Sequence, residues 1–129
     1  MAVEQGIDLM SSQFADYGLC LLAKNKGFNE PSLAIYLANA GAATVYWPHN
    51  LICNGEIIAP NDCTAILHQQ MTQWLFDNGV VVEYQWKPIS LDHLHTIKDI
   101  HGKVVYVCLH TDFNKSRTWG FMEALQLIR

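Results

Sequence analysis

The first third of the chain shows apolar residues at helical spacing. From about residue 3 to residue 25 they recur at intervals of three and four, which predicts an amphipathic helix with the stripe Ile7, Met10, Phe14, Tyr17 and Leu21. Gly27 is expected to end this helix in a left-handed turn. A second helix is predicted to begin at Pro31, because proline is tolerated in a first turn, and to stop at Gly41. Residues 44–47 are β-favouring and precede Pro48, which predicts a short strand.

Turn-forming residues organise the middle of the chain. Asn54-Gly55 separates two short, mainly apolar segments, at 51–53 and 56–59, and this dipeptide predicts a β-hairpin. After Pro60, Asn61 or Asp62 is expected to cap a third helix near 62–78. The inner face of that helix is apolar and its outer face carries glutamine and threonine. Uncharged polar groups on an outer helix face favour an interface over a solvated surface.

The residue pattern in the last third of the chain predicts two strands and a final helix. Residues 80–86 alternate between two faces, and 103–110 form a second clear strand. We expect 88–100 to be irregular, with a short helix starting near Ser90, and a final helix capped by Ser116 to run to Leu127. This order predicts one α+β domain over residues 1–129, with a mainly antiparallel sheet of about four strands packed against about four helices.

Composition narrows the functional classes. The 129 residues are 50% hydrophobic and 16% charged, with a net charge of −4, and an acidic chain without a basic stripe argues against nucleic-acid binding. No apolar run reaches the roughly 18 to 20 residues of a membrane span, and no secretory signal opens the chain, so a cytoplasmic location is expected. The four cysteines form no Cys-x-x-Cys pair and are expected to be buried free thiols. No phosphate loop or other cofactor motif occurs, and no cofactor is predicted.

The distribution of charge gives the first functional hypothesis. Residues 31–76 carry only two charged side chains, and a segment of this length cannot be wholly interior in so small a chain. We therefore expect a non-catalytic binding module, a homodimer or the partner of another protein; one variant is an acidic inhibitor of a basic toxin. The predicted interface residues are Tyr46, Trp47, Gln70, Gln73 and Trp74, with Glu56 and Asp62 at the rim.

A second hypothesis is enzymatic or metal-binding. Cys108, His110 and Asp112 are spaced two apart on a predicted strand and project to one side, as a nucleophile, base and orienting carboxylate would. This hypothesis requires a thiol of lowered pKa. His93 and His95, with His101 nearby, could coordinate a metal ion, and Cys108 or His110 could complete its ligand set.

A third hypothesis is a pocket for an apolar small molecule. Aromatic side chains between the sheet and the helices would form its walls. The predicted wall residues are Tyr46, Trp47, Trp86 and Tyr106.

Overall fold

The computed structural model of the protein describes residues 13–38, 44–48 and 50–128. It divides the chain into two compact units, Met1–Met71 and Thr72–Arg129, which we describe separately. The described residues form three α-helices, one short 3₁₀ helix and two three-stranded antiparallel sheets. The α+β class is therefore confirmed, although six strands exceed the four predicted. The single domain over 1–129 stays a prediction.

The N-terminal unit packs one helix against a small sheet. Helix α1 (Tyr17–Asn25) begins where the Asp16 carboxylate accepts a hydrogen bond from the Leu19 backbone N–H at 2.8 Å. Gly27, with φ of +101°, follows its end as predicted. The sheet has the order β2-β1-β3, with β1 Ala34–Leu37, β2 Thr44–Tyr46 and β3 Cys63–Ala65. The predicted helical residues 3–12 lie outside the described residues. The prediction is wrong for residues 13–16, which precede the helix, because Phe14 pairs with Leu67 in an isolated β-bridge.

The predicted second helix is wrong in its described part, because Ala34–Leu37 is the central strand β1. Ala34, Ile35 and Tyr36 are all buried. A strand that is buried on both faces shows a continuous apolar run instead of alternation, and such a run cannot be told from a buried helix by periodicity.

The predicted hairpin at Asn54-Gly55 is also wrong. Residues Asn54–Glu56 form the 3₁₀ helix, and neither Asn54 nor Gly55 has the positive φ that the hairpin turn requires. Asn54 is buried, and its amide donates to the Phe28 carbonyl at 2.8 Å and accepts from the Thr64 N–H at 2.9 Å. This asparagine ties the 3₁₀ segment to strand β3.

Helix α2 (His68–Asp77) confirms the third predicted helix but begins later than residue 62. The residues before it pair with β1 as strand β3. Met71, Trp74 and Leu75 are buried, as the apolar pattern predicts. Gly79, with φ of +83°, turns the chain after the helix.

The C-terminal unit is an antiparallel sheet with a helix on one face. Strands β4 (Val81–Lys87), β5 (Asp92–Lys98) and β6 (Val104–His110) follow one another in the sheet, so β5 is central. Helix α3 (Phe113–Gln126) packs on β5 and β6. Its approach is close at Gly120, where an added Cβ would lie 3.2 Å from the His95 Cβ. No helix of the described residues has the length and apolarity needed to cross a membrane.

Strands β4 and β6 were predicted, whereas β5 was not. The region 88–100 is mostly this regular strand and contains no helix. The buried positions of β5 are His95 and Ile97. A histidine at a buried position hides the apolar alternation by which a strand is normally recognised.

Candidate functional site

Four of the candidate site residues predicted from the sequence lie on one face of the C-terminal sheet. The register sets His93 opposite His110 and His95 opposite Cys108. Because side chains alternate between the two faces along a strand, all four lie on one face. This is the face that α3 covers, because Gly120 touches His95 there.

Asp112 and His101 have other positions. The Asp112 carboxylate accepts a hydrogen bond from the Lys115 backbone N–H at 3.1 Å and caps α3, and this hydrogen bond lowers the pKa of the carboxyl group. The Asp112 backbone N–H donates to Nδ1 of His110 at 2.8 Å. His101 lies in the turn between β5 and β6, at the end of β5 away from His93.

His95 is held inside the unit by a buried serine. Its Nδ1 lies 2.7 Å from the Ser116 hydroxyl oxygen, which also lies 3.0 Å from the His93 carbonyl and 3.2 Å from the Cys108 carbonyl. Carbonyl groups only accept, so the single hydroxyl proton goes to one of them and Nδ1–H of His95 donates to Ser116. The neutral imidazole then has its lone pair on Nε2.

The charge states on this face do not favour nucleophilic catalysis. Burial, with the Arg117 guanidinium and His93 adding to it, lowers the pKa of His95 to about 4. Burial raises the pKa of the Cys108 thiol to about 11, the opposite of what the enzymatic hypothesis requires. A neutral thiol therefore lies opposite a neutral imidazole at pH 7. No group of three or more histidine, cysteine or acidic residues within the described ranges could hold a metal ion.

An aromatic cluster lies at the end of the sheet nearest His93. The Tyr84 hydroxyl is 2.7 Å from Nδ1 of His93, and the Trp86 ring centroid is 4.6 Å from that of His93. Phe113 from α3 meets Tyr84 edge to face at 5.0 Å, and the Arg117 guanidinium lies 4.8 Å from the Phe113 ring centroid. Ring contacts and the cation–π contact hold this corner of the sheet against α3.

The outer edge of the sheet at β6 is apolar and open. None of its seven residues carries a formal charge, apart from the titratable His110 at its end. No other strand in the described part of the chain pairs with this edge. The side chains that are between 36% and 52% exposed are Val104, Val105, Tyr106, Val107 and Leu109.

The aromatic residues predicted to form an interface differ in exposure. Tyr46 is 51% exposed, whereas Trp74 is buried. Trp47 is partly buried, and its ring centroid lies 5.6 Å from that of Phe14. Its indole Nε1 is buried without a hydrogen-bond partner among the described residues.

The polar residues of the predicted interface are engaged within the chain. The Gln70 amide donates to the Pro31 carbonyl at 2.9 Å, and the Gln73 amide donates to the Asp77 carboxylate at 2.9 Å. The carboxylates of Glu56 and Asp62 accept hydrogen bonds from backbone N–H groups, those of Cys53 and Ala38 respectively. Their role at an interface stays a prediction.

The N-terminal unit also has a surface depression of about 220 Å³. This volume is below the roughly 300 to 1,000 Å³ that ligand pockets usually have. Its lining includes Phe28, Asn54 and Gly55 but none of the aromatic wall residues that the sequence suggested.

Sequence reasoning missed two structural roles. Ser116 was expected to cap the last helix but is fully buried inside it, and Asp112 is the residue that caps it. Aspartate is a preferred N-cap residue, and its position shortly after the strand was the available signal.

Comparison with known proteins adds no relative: no family model, no curated protein and no solved structure matches the chain.

Proposed function

We propose that the protein is a non-catalytic binding module that self-associates. Two copies pair through β6 in antiparallel orientation, so that their C-terminal sheets become one continuous sheet of six strands. The observation that carries this proposal is the uncharged, exposed edge at β6.

The two edges of the sheet contrast in a way that supports this choice. Unpaired edge strands are templates for pairing, and proteins commonly protect them with charged side chains, proline or bulges. The β4 edge carries Glu83 and Lys87, and Glu83 forms an ion pair with Lys98 at 2.9 Å. The β6 edge has one irregularity near its start, at Val105, and no charge between Tyr106 and Leu109. Of the two edges of this sheet, β6 is the one without charged protection.

The strand is also complementary to a second copy of itself. A two-fold axis through Val107 sets Val105 opposite Leu109 and Tyr106 opposite Cys108 of the second copy. Apolar side chains then meet apolar side chains along the strand. Lys103, just before the strand, comes next to Asp112 of the second copy, which brings opposite charges together at both ends.

The size of this contact predicts a weak dimer. The seven-residue strand is about 23 Å long, and one strand layer with one helix layer is about 20 Å deep. The interface then covers roughly 500 Å² per copy, which falls in the class of weak, concentration-dependent complexes.

The test is analytical ultracentrifugation of the full chain from low micromolar to submillimolar concentration. We expect the wild type to pass from monomer to dimer and Val107→Lys to stay monomeric, since Val107 is 51% exposed and lysine there leaves the monomer fold intact. Gln85→Lys is the matched control, because it adds the same charge at an exposed position of the β4 edge. A wild type that is monomeric throughout, or equal effects of both substitutions, would contradict the proposal.

A further inference from the structure

One flank of helix α3 lies beside the open edge of the sheet. Gly120 faces the sheet, because it touches His95. Ser116 and Phe113 both contact β5, but Ser116 also lies 3.2 Å from the Cys108 carbonyl of β6, whereas Phe113 also contacts Tyr84 of β4. The flank of α3 that carries Ser116 is therefore on the β6 side.

Trp119 lies on that flank. At about 100° per residue, Ser116 and Glu123 are displaced from Gly120 toward β6, and Trp119 lies further round on the same side. Glu123 is close enough to Cys108 to contribute to its raised pKa, which agrees with this placement. Trp119 is 49% exposed, so about half of this large aromatic residue is open to solvent next to the edge.

The spacing of the layers suits contact between two such helices. Helix α3 packs on both β5 and β6, and neighbouring strands are about 4.8 Å apart. A two-fold axis midway between paired β6 strands is then about 5 Å from the axis of α3. The helices of two copies come about 10 Å apart on the same face of the joined sheet, which is within the usual distance for packed helices.

The positions along the helix also agree with that axis. Gly120 touches His95 and Ile97, which pair with Cys108 and Tyr106 respectively, so it is level with Val107 between them. The two-fold axis that centres the strand pairing on Val107 therefore passes beside Trp119 and Gly120.

We infer that a second copy docks along α3 as well as along β6, with Trp119 at the two-fold axis. The two helices are antiparallel, and Lys115 of each copy faces Glu123 of the other. Neither side chain forms an ion pair with another described residue. Lys115 and Glu123 are eight residues apart on one helix, too far to pair with each other within a copy. This inference rests on the proposed self-association through β6.

The experiment uses charge reversal, with dissociation constants from analytical ultracentrifugation. Lys115→Glu makes both positions acidic and Glu123→Lys makes both basic, so each variant repels its own copies. Two contacts per dimer change from attractive to repulsive, and we expect each single variant to dimerise about tenfold more weakly. A mixture of the two single variants should form a heterodimer with near wild-type affinity, and the double variant should regain self-association.

The outcomes separate this inference from the proposed function. Weakened singles that recover on mixing support the helix contact, because a folding defect in either variant would not recover. If Val107→Lys abolishes the dimer while the charge variants self-associate like the wild type, the helix contact is overturned and the strand pairing stands. A wild type that never dimerises overturns both.

Discussion

His95 makes the stability of the C-terminal unit depend on pH, and the size of the effect follows from its surroundings. The ring is 3% exposed, donates through Nδ1 to Ser116, and lies near Arg117 from α3 and His93 from its own strand. Tyr84 from β4, Cys108 from β6 and Phe113 from α3 also surround it. None of these groups supplies a negative charge that would stabilise a protonated Nε2. The pKa of His95 in the folded protein is therefore about 4, compared with 6.5 for an ordinary histidine.

The direction of the pH effect on stability follows from the difference in proton binding between the folded and unfolded chain. As the pH falls below 6.5 the unfolded chain binds a proton at His95 while the folded chain does not, so the free energy of unfolding decreases until the pH reaches about 4. For these two pKa values the loss between pH 7 and pH 5 is about 2 kcal/mol. Relaxation of the surroundings around a protonated ring reduces this figure, so we expect a loss of about 1 to 2 kcal/mol.

The assay is urea denaturation of the wild type and of His95→Asn at several pH values from 7 to 5. The asparagine amide still donates to Ser116 but does not titrate, so the difference between the two pH dependences isolates His95 from the other ionisable groups. We expect the wild type to lose about 1 to 2 kcal/mol more than the variant over this range. Equal losses in both proteins would refute the assignment of His95 as a buried neutral base.

Two further predictions concern buried groups. Asn54→Ala leaves the Phe28 carbonyl and the Thr64 N–H without their present partner, and we expect it to lower the free energy of unfolding by at least about 2 kcal/mol in urea denaturation. The control is Asn78→Ala, which removes an amide at an exposed helix end. An equal loss in both variants would contradict the bridging role of Asn54. Because Cys108 is buried and its pKa is raised to about 11, iodoacetamide at pH 7.5 should leave it unmodified in the native protein while the partly exposed Cys53 reacts. Rapid native alkylation of Cys108 in peptide mapping would restore the nucleophile hypothesis.

The elements that could be predicted from the sequence are those whose residues follow a regular apolar pattern. Helix α1 and strand β4 show such periodicity, and their predicted types are confirmed. Strand β1 lacks it because both of its faces are buried, and an apolar run without alternation also fits a buried helix. The hairpin prediction at Asn54 is wrong for another reason. The Asn54 side chain forms hydrogen bonds with Phe28 and Thr64, which are distant in sequence, whereas turn rules consider only neighbouring residues.

The candidate site was predictable only along single strands. The spacing of Cys108 and His110 places them on one face, and the sequence was sufficient for that. Their neighbours His93 and His95 come from β5, whose register depends on pairing with two other strands. The pKa of Cys108 depends on burial under α3, and the sequence pattern gave no measure of that burial.

The contrast between the two sheet edges also limits how many copies can join. The C-terminal sheet of each copy has one uncharged edge, at β6, and pairing around a two-fold axis uses that edge on both copies at once. The edges that remain at the outside of the joined sheet are both β4, where Glu83 and Lys87 oppose further strand addition. If two copies pair through β6 as proposed, growth by this route ends at two copies and gives a closed pair instead of a fibre.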